Sequence, residues 1–350
     1  MSFAFYYVFQ VDRRVFLCYT ELNESCKKGG QVQMKVALLG AWHVHAADYS
    51  KEALAHGELI GFYEKDDALA QQYQKAFDIP RFATREELLD SAAEGVIVCS
   101  ATCDHTEDIL AVANAKKQIF TEKVLALTEE DCDMIEAALF QNGVTLTISL
   151  FQKYIGSRMA VKQAVDSGEL GKINYMRFRN CHSGSTRDWL PTHFYNREQC
   201  GGGAMIDLGA HGMYLTEWLL GMPASASSTF TVCCEAGGAL TKNTDMVEDN
   251  AVTVMRFENG AIAINETGFV SDCSPVVLEV HGEQGYVRME NDRVVKCTKS
   301  TNHATVELTP PTSLPSPIRQ FLSGDVLPGC AIKEAKALTK MMVMAYANVT

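Results

Sequence analysis

From Met34 onward, short apolar runs that end in glycine or an acid alternate with stretches whose apolar positions recur every three or four residues. Lys35-Val36-Ala37-Leu38-Leu39-Gly40 is the first such run, and it has the form of a strand buried on both faces of a parallel sheet. The pattern predicts a helix over 44–56, a strand over 58–64, a helix over 67–77 closed by Pro80, and a helical turn over 85–91. Predicted strands over 95–99, 118–120 and 144–148 then alternate with predicted helices over 105–116 and 128–142. Repeated βαβ units of this kind predict a doubly wound parallel sheet that takes its ligand at the carboxyl ends of the strands.

Beyond residue 150 the pattern changes. Six strands are predicted over 172–179, 227–234, 250–257, 261–267, 276–281 and 286–290, with Glu258-Asn259-Gly260 and Gly282-Glu283-Gln284-Gly285 as hairpin turns. A chain of 350 residues exceeds the usual single core, so two domains are expected, over 34–150 and 151–350.

Residues 1–33 stand apart. Phe3 to Phe9 is apolar and aromatic, too short for a signal-peptide core or a membrane span, and no basic segment precedes it. Codons for Lys28-Gly29-Gly30 can spell a purine-rich ribosome-binding site just ahead of Met34, so residues 1–33 read as a translated leader or a disordered arm.

Composition narrows the partners. With 47% hydrophobic and 21% charged residues the chain is an ordinary soluble globular protein. A formal net charge of -12 argues against nucleic acid or an anionic membrane surface and favours a small-molecule ligand. The 12 cysteines form no C-x-x-C pair, which suits reduced thiols in the cytoplasm.

Two stretches carry candidate chemistry. Gly40 opens the position of a dinucleotide fingerprint, G-x-G-x-x-G, but the loop continues Ala41-Trp42-His43-Val44-His45, with Trp42 and His45 in place of glycines. Amides at the following helix start offer an anion site. Glu64 stands 24 residues after Gly40, where a carboxylate takes ribose hydroxyls and repels a 2′-phosphate. NAD is therefore preferred over NADP, with Lys65 softening the preference. His43 and His45 form an H-x-H pair with no further ligand at a recognised spacing, so no metal is expected. Asp207 and His211, reached through Gly201-Gly202-Gly203, stand four apart and would share a helix face, either as an oriented acid/base pair or as a helix cap and a core histidine.

The chain from Met34 resembles the Gfo/Idh/MocA family of oxidoreductases, relatives of glucose-fructose oxidoreductase and inositol dehydrogenase. Ser100-Ala101-Thr102-Cys103-Asp104-His105 is similar to that family's T-P-N-x-x-H turn along the cofactor, and Glu122-Lys123-Val124 to its E-K-P signature, with valine for proline. Ser167 to Lys172 resembles its S-G-x-[LI]-G turn, and Gly203 to His211 its G-x-x-x-D-x-G-x-H motif. The resemblance implies a Rossmann domain followed by an α/β domain with a large, mostly antiparallel open sheet, whose exposed face pairs subunits in a homodimer or homotetramer. It implies Lys123, Asp207 and His211 as catalytic residues. For the cofactor it implies Gly40, Trp42, His43, Val44, Glu64, Ser100, Ala101, Thr102, His105, Glu122 and Lys123.

The reaction so implied is hydride transfer between NAD and a hydroxyl-bearing carbon of a sugar, inositol or related polyol. Lys123 would steady the developing alkoxide and His211 would take the hydroxyl proton. The aromatic and polar segment from Asn180 to Cys200 suits a sugar ring, with Trp189, His193 and Tyr195 as candidate contacts beside Lys153 and Tyr154. Tyr214 replaces the acid that the family often carries three residues after the histidine. Two alternatives stand beside the dehydrogenase: an enzyme of the NAD-dependent glycosidase type, and a non-catalytic nucleotide or sugar sensor.

Overall fold

In the computed structural model, which describes residues 33–234, 247–325 and 328–350, the apolar runs of the first half form one five-stranded sheet. Its strands are β1 (Lys35–Leu39), β2 (Glu58–Tyr63), β3 (Gly95–Val98), β4 (Gln118–Thr121) and β5 (Leu146–Ile148), in the order β2-β1-β3-β4-β5. The pairs β1–β2, β1–β3 and β3–β4 are parallel. Val36, Leu38, Ile97 and Phe120 have no exposed surface, as continuous apolar runs require in a sheet covered on both faces. The strand order reverses between β1 and β3, and their carboxyl ends make the crevice where doubly wound sheets bind ligands.

Helices α1 (Ala46–His56), α2 (Asp67–Phe77), α3 (Arg85–Asp90), α4 (His105–Asn114) and α5 (Glu129–Asn142) connect these strands. Caps written into the sequence set two of the starts: the Asp66 side chain accepts the Leu69 amide and the Thr84 hydroxyl accepts the Glu87 amide. The helix expected from residue 44 begins only at Ala46, because His43 and His45 are held in the preceding turn.

Contacts divide the chain into two compact units. The first contains the described residues up to Glu122, Met134–Thr147 and a segment beginning at Ile318; the second contains Lys123–Asp133, Ile148–Pro317 and Pro328–Thr350. A short helix near the C-terminus, Pro317–Ser323, thereby supplies Ile318, Phe321 and Leu322 to the core built on Val36, Leu38 and Phe120.

The second unit carries an eight-stranded sheet: β6 (Ile173–Cys181), β7 (Ser225–Thr231), β8 (Asn250–Arg256), β9 (Ile262–Gly268), β10 (Val277–Gly282), β11 (Gly285–Glu290), β12 (Arg293–Thr298) and β13 (Val306–Leu308). Their order is β13-β12-β11-β10-β6-β9-β8-β7, antiparallel in every pair except β6 with β9. The six expected strands are present, and β12 and β13 extend the sheet beyond them. One face takes the buried alternate positions of β8, and the other leaves Val252 and Val254 about two-fifths exposed beside Arg177, Arg179, Glu266 and Glu279, which are linked as ion pairs. Every cysteine among the described residues is a free thiol, and no helix among them is long and apolar enough to cross a membrane. The leader expected over residues 1–33 lies, apart from its last residue, outside the described residues.

Phe321 packs its ring 5.7 Å from that of Phe120 and is 5% exposed. Phe321→Ala is expected to destabilise the first unit by about 3–5 kcal/mol, since the cavity it leaves lies against a close-packed sheet. Chemical denaturation followed by circular dichroism measures this, and a change below about 1 kcal/mol would contradict the packing.

Candidate active site

At the carboxyl ends of β1, β2 and β3 lies a cavity of ≈ 250 Å³ lined by Gly40, Trp42, Tyr63, Glu64, Lys65, Ser100 and Ala101 among others. Gly40 has φ +84°, and a Cβ there would lie 2.4 Å from the Ser100 amide nitrogen, so the loop passes β3 only because the residue is glycine. The Glu64 carboxylate, 4% exposed, accepts the Ala41 amide at 2.7 Å and the Asp66 amide at 2.9 Å. A carboxylate has about four acceptor positions, so these two bonds fix its place and leave acceptor capacity toward the cavity. Lys65 pairs with Asp104 at 2.6 Å, and Arg85 with Asp108 at 3.1 Å and Glu107 at 2.8 Å. The cations at this cavity are thus matched by acids, which suits ribose hydroxyls better than a 2′-phosphate.

The loop differs from the expected row of open amides. The amide of Ala41 goes to Glu64, that of His43 to the Cys99 carbonyl at 3.1 Å, and that of His45 to His43 Nδ1 at 3.2 Å. These amides of Ala41, His43 and His45 are thus engaged with protein acceptors. His105 is buried with Nε2 at 3.2 Å from the Ser100 carbonyl, which ties the start of α4 to the turn containing Thr102. Glu122 closes β4 at 1% exposure and is bound by the Tyr49 hydroxyl and by His45 Nδ1, the latter at 2.8 Å. The cavity at the switch point has Glu64 in its lining.

In the second unit, the chain after Gly203 forms two short helical segments rather than one helix. Ala204–Asp207 ends at Leu208, and Gly209–Leu220 follows, with the His211 amide bonded to the Leu208 carbonyl three residues back. Glu248 sets the start of the first segment: its Oε1 accepts the Gly203 and Met205 amides, each at 3.0 Å, and the Tyr346 hydroxyl at 2.6 Å. The second segment lies hard against β9. A Cβ at Gly212 would stand 2.1 Å from Asn265 Oδ1, while Asn265 Nδ2 donates to the Gly209 carbonyl at 2.7 Å.

These constraints bring Lys123, Asp207 and His211 into defined contacts. Lys123 Nζ donates to Asp207 Oδ1 at 2.5 Å and to the Asp207 carbonyl at 3.0 Å, with Lys123 buried and Asp207 partly open. His211 is buried, its Nδ1 lies 2.9 Å from the Tyr214 hydroxyl, and its ring meets Phe151 edge-on. Tyr214 also accepts the Gln152 amide at 3.2 Å. The fold pairs Asp207 with Lys123 and sets the Tyr214 hydroxyl beside the imidazole of His211. The peptide bond between Lys123 and Val124 is cis, at the position where the E-K-P signature has proline.

The expected substrate contacts divide. Trp189 is half-buried, 4.6 Å from the His182 ring, and His193 stands half-buried in the turn Thr192–Tyr195. Tyr195 bonds Ser185 at 2.7 Å, and burial pushes its phenol up to about 12. Tyr154 donates to the Pro328 carbonyl at 2.9 Å, and Lys153 to the Gly329 carbonyl at 3.1 Å, its ammonium disfavoured by burial. The polar tips of these three side chains are engaged with protein atoms. His182, at the end of β6, was passed over as one member of an aromatic segment. It stacks flat on Phe269 at 4.9 Å, and its Nδ1 accepts the Gly184 amide at 3.0 Å. Burial lowers its pKa, with the nearby Asp207 carboxylate pulling the other way.

Residues 34–150 match the model of the oxidoreductase family with an NAD-binding Rossmann fold, and residues 159–288 match the GFO/IDH/MocA C-terminal domain. The chain belongs to the Gfo/Idh/MocA family of NAD-binding oxidoreductases. It is 28% identical over 223 residues to the uncharacterized oxidoreductase YrbE of Bacillus subtilis, covering 62% of this chain and 61% of that one. It is 27% identical over 239 residues to the myo-inositol 2-dehydrogenase of Thermotoga maritima, covering 65% of this chain and 66% of that one. The chain thus spans a little under two thirds of the length of these two relatives. An oxidoreductase of Agrobacterium radiobacter, solved with NAD+, L-tartaric acid and magnesium, shares the fold with a TM-score of 0.73 at 16% identity, over 90% of this chain and 95% of that one.

The lowered pKa of His182 has a measurable consequence. The unfolded chain takes up this proton at about pH 6.5, while the folded chain resists it to lower pH. The stability is therefore fully present above that unfolded value and is lost as pH falls from it toward the folded one. Thermal melts of wild type and His182→Gln between about pH 7.5 and pH 5 should show a shallower acid decline in the variant; parallel curves would refute a depressed His182.

Proposed function

We propose that this chain is an NAD-dependent dehydrogenase that oxidises a secondary hydroxyl of an inositol, sugar or related polyol. The observation that carries this reading is the two pairs Lys123–Asp207 and His211–Tyr214, both within the second unit, which includes Lys123. Residues 34–150 hold the dinucleotide, with Glu64 on the ribose and Gly40, Ser100 and Ala101 at the crevice; residues 151–350, joined by Lys123, hold the substrate. Bound NAD supplies the hydride acceptor.

Asp207 holds the Lys123 ammonium in place, and the ammonium stabilises negative charge on the substrate oxygen as its proton leaves. His211 accepts that proton at Nε2 when its Nδ1–H donates to the Tyr214 oxygen, the tautomer a base requires. The O–H bond breaks toward His211 as the carbinol carbon is oxidised to a carbonyl, for which NAD held by residues 34–150 would supply the hydride acceptor. His182, which feels the Asp207 carboxylate, and Trp189 beside it form the wall that receives the ring. Free thiols suit a cytoplasmic enzyme. The partly apolar open face around Val252, Val254 and Ile262 suits a homodimer or homotetramer.

Absorbance at the reduced-cofactor band, read across a panel of inositols, hexoses and their acids with NAD and then NADP, tests the activity. NADH formation with one of them, at higher kcat/KM for NAD than for NADP, is expected. Turnover of a glycoside without net NADH would replace dehydrogenation with redox elimination, and failure of both nucleotides to raise Tm would remove the enzyme reading altogether.

Lys123→Met is expected to lower kcat by about 100- to 1,000-fold while NAD binding persists. Tyr214→Phe is expected to lower kcat by roughly 10-fold and to move the acid limb of the kcat profile, because the imidazole loses the partner of its Nδ1. An unchanged profile in the phenylalanine variant would deny Tyr214 its positioning role.

A further inference from the structure

We propose that His43, His45 and Glu122 form a binding site for a divalent transition-metal ion of the zinc class. The sequence places His43 and His45 in an H-x-H pair without a third ligand nearby, but the parallel sheet brings Glu122 to them from 77 residues beyond His45. One donor atom from each of the three residues lies within 4.8 Å of the others. His45 Nδ1 is 2.8 Å and His43 Nδ1 4.0 Å from the same oxygen of Glu122. Ligands about 2.0–2.2 Å from one zinc ion stand roughly 3.3 Å apart in a tetrahedron. Closing the site therefore takes a shift of roughly an ångström in the His43 side chain, whose Nδ1 gives up the His45 amide that it accepts at 3.2 Å, and a lengthening of the His45–Glu122 hydrogen bond to ligand spacing.

The chemistry of the set supports an ion. Two imidazoles and one carboxylate are the donor types that zinc and its neighbours take, and three protein ligands leave one position for water or another exogenous oxygen. Glu122 is 1% exposed, and a carboxylate so far from water gains more from a divalent cation than from neutral donors. The Tyr49 hydroxyl on Glu122 is the outer-shell bond that holds a ligating carboxylate in orientation. His45, with about a third of its side chain exposed, gives the ion its path from solvent. The site lies wholly within the nucleotide unit, and its presence does not depend on which hydroxyl the protein oxidises.

The test is metal binding to the full chain after chelator treatment, by calorimetry with zinc and by visible absorption with cobalt as the spectroscopic substitute. One equivalent per chain is expected, with proton release, weaker binding at acid pH and a cobalt spectrum of nitrogen and oxygen ligation. His43→Asn, His45→Asn and Glu122→Gln are each expected to weaken affinity by at least about 10-fold. Circular dichroism and the melting curve of each apo variant establish that it is folded. Because the chain has 12 cysteines, a thiolate-to-cobalt charge-transfer band would place the ion elsewhere and overturn the proposal. So would the absence of stoichiometric binding, or affinity unchanged in all three variants when the wild type binds. If one variant fails to fold, the other two decide the matter.

Discussion

The buried pair of Lys123 and Asp207 is the interaction on which the site in the second unit rests. An ammonium at 2% side-chain exposure is expensive to bury, and it is tolerated because a carboxylate and a carbonyl of the same residue both receive it. That places a demand on the backbone. Asp207 must stand where its side-chain and main-chain oxygens converge on one nitrogen, so the chain cannot run through it as an uninterrupted helix. The break at Leu208 meets this demand, and Gly209 and Gly212 then let the following helix settle onto β9. The ion pair, the helix break and the close helix-to-sheet packing are three aspects of one local solution.

A second buried carboxylate secures the same segment from the other side. Glu248 takes the first amides of the Ala204–Asp207 turn and the Tyr346 hydroxyl, so the segment is held at its start by one acid and at its end by the lysine paired with another. Catalytic groups are positioned well when their supports are themselves bonded, and Tyr214 extends the pattern by holding His211 while accepting the Gln152 amide. In the nucleotide unit the equivalent support is Glu64, whose bond to Ala41 fastens the loop that has lost two glycines. The loop keeps its course past β3 because the one glycine it retains, Gly40, stands where only glycine fits.

The parallel sheet was legible because its strands are apolar runs buried on both faces, and α2 and α3 carry their own start signals in Asp66 and Thr84. The antiparallel sheet was legible down to β11, where hairpin turns and alternation are local. The strand β12 mixes arginine, lysine and valine, and β13 is three residues long, so pairing with a neighbour decided both. Lys123, Asp207 and His211 were found through motifs. Their partners were not, because Tyr214 on His211 reads in sequence only as a missing acid, and Glu248 lies 45 residues from the amide it caps. The sequence carries no information about where a phenol points, and the fold directs those of Tyr154 and Tyr195 to the Pro328 carbonyl and to Ser185.

The sequence by itself determined the two sheet architectures, because those follow from periodicity and local turn signals, and its motifs carried the resemblance to the family. Only the tertiary structure decided which charges meet. The Asp207 carboxylate meets a lysine 84 positions away, whereas the imidazole of His211 bonds a phenol three positions on along its own helix. His43 and His45 acquire a carboxylate from another strand. Helical spacing fixes which side chains are neighbours on one element, whereas the partner of a buried charge is chosen by desolvation, which rewards the nearest complementary group in space whatever its place along the chain.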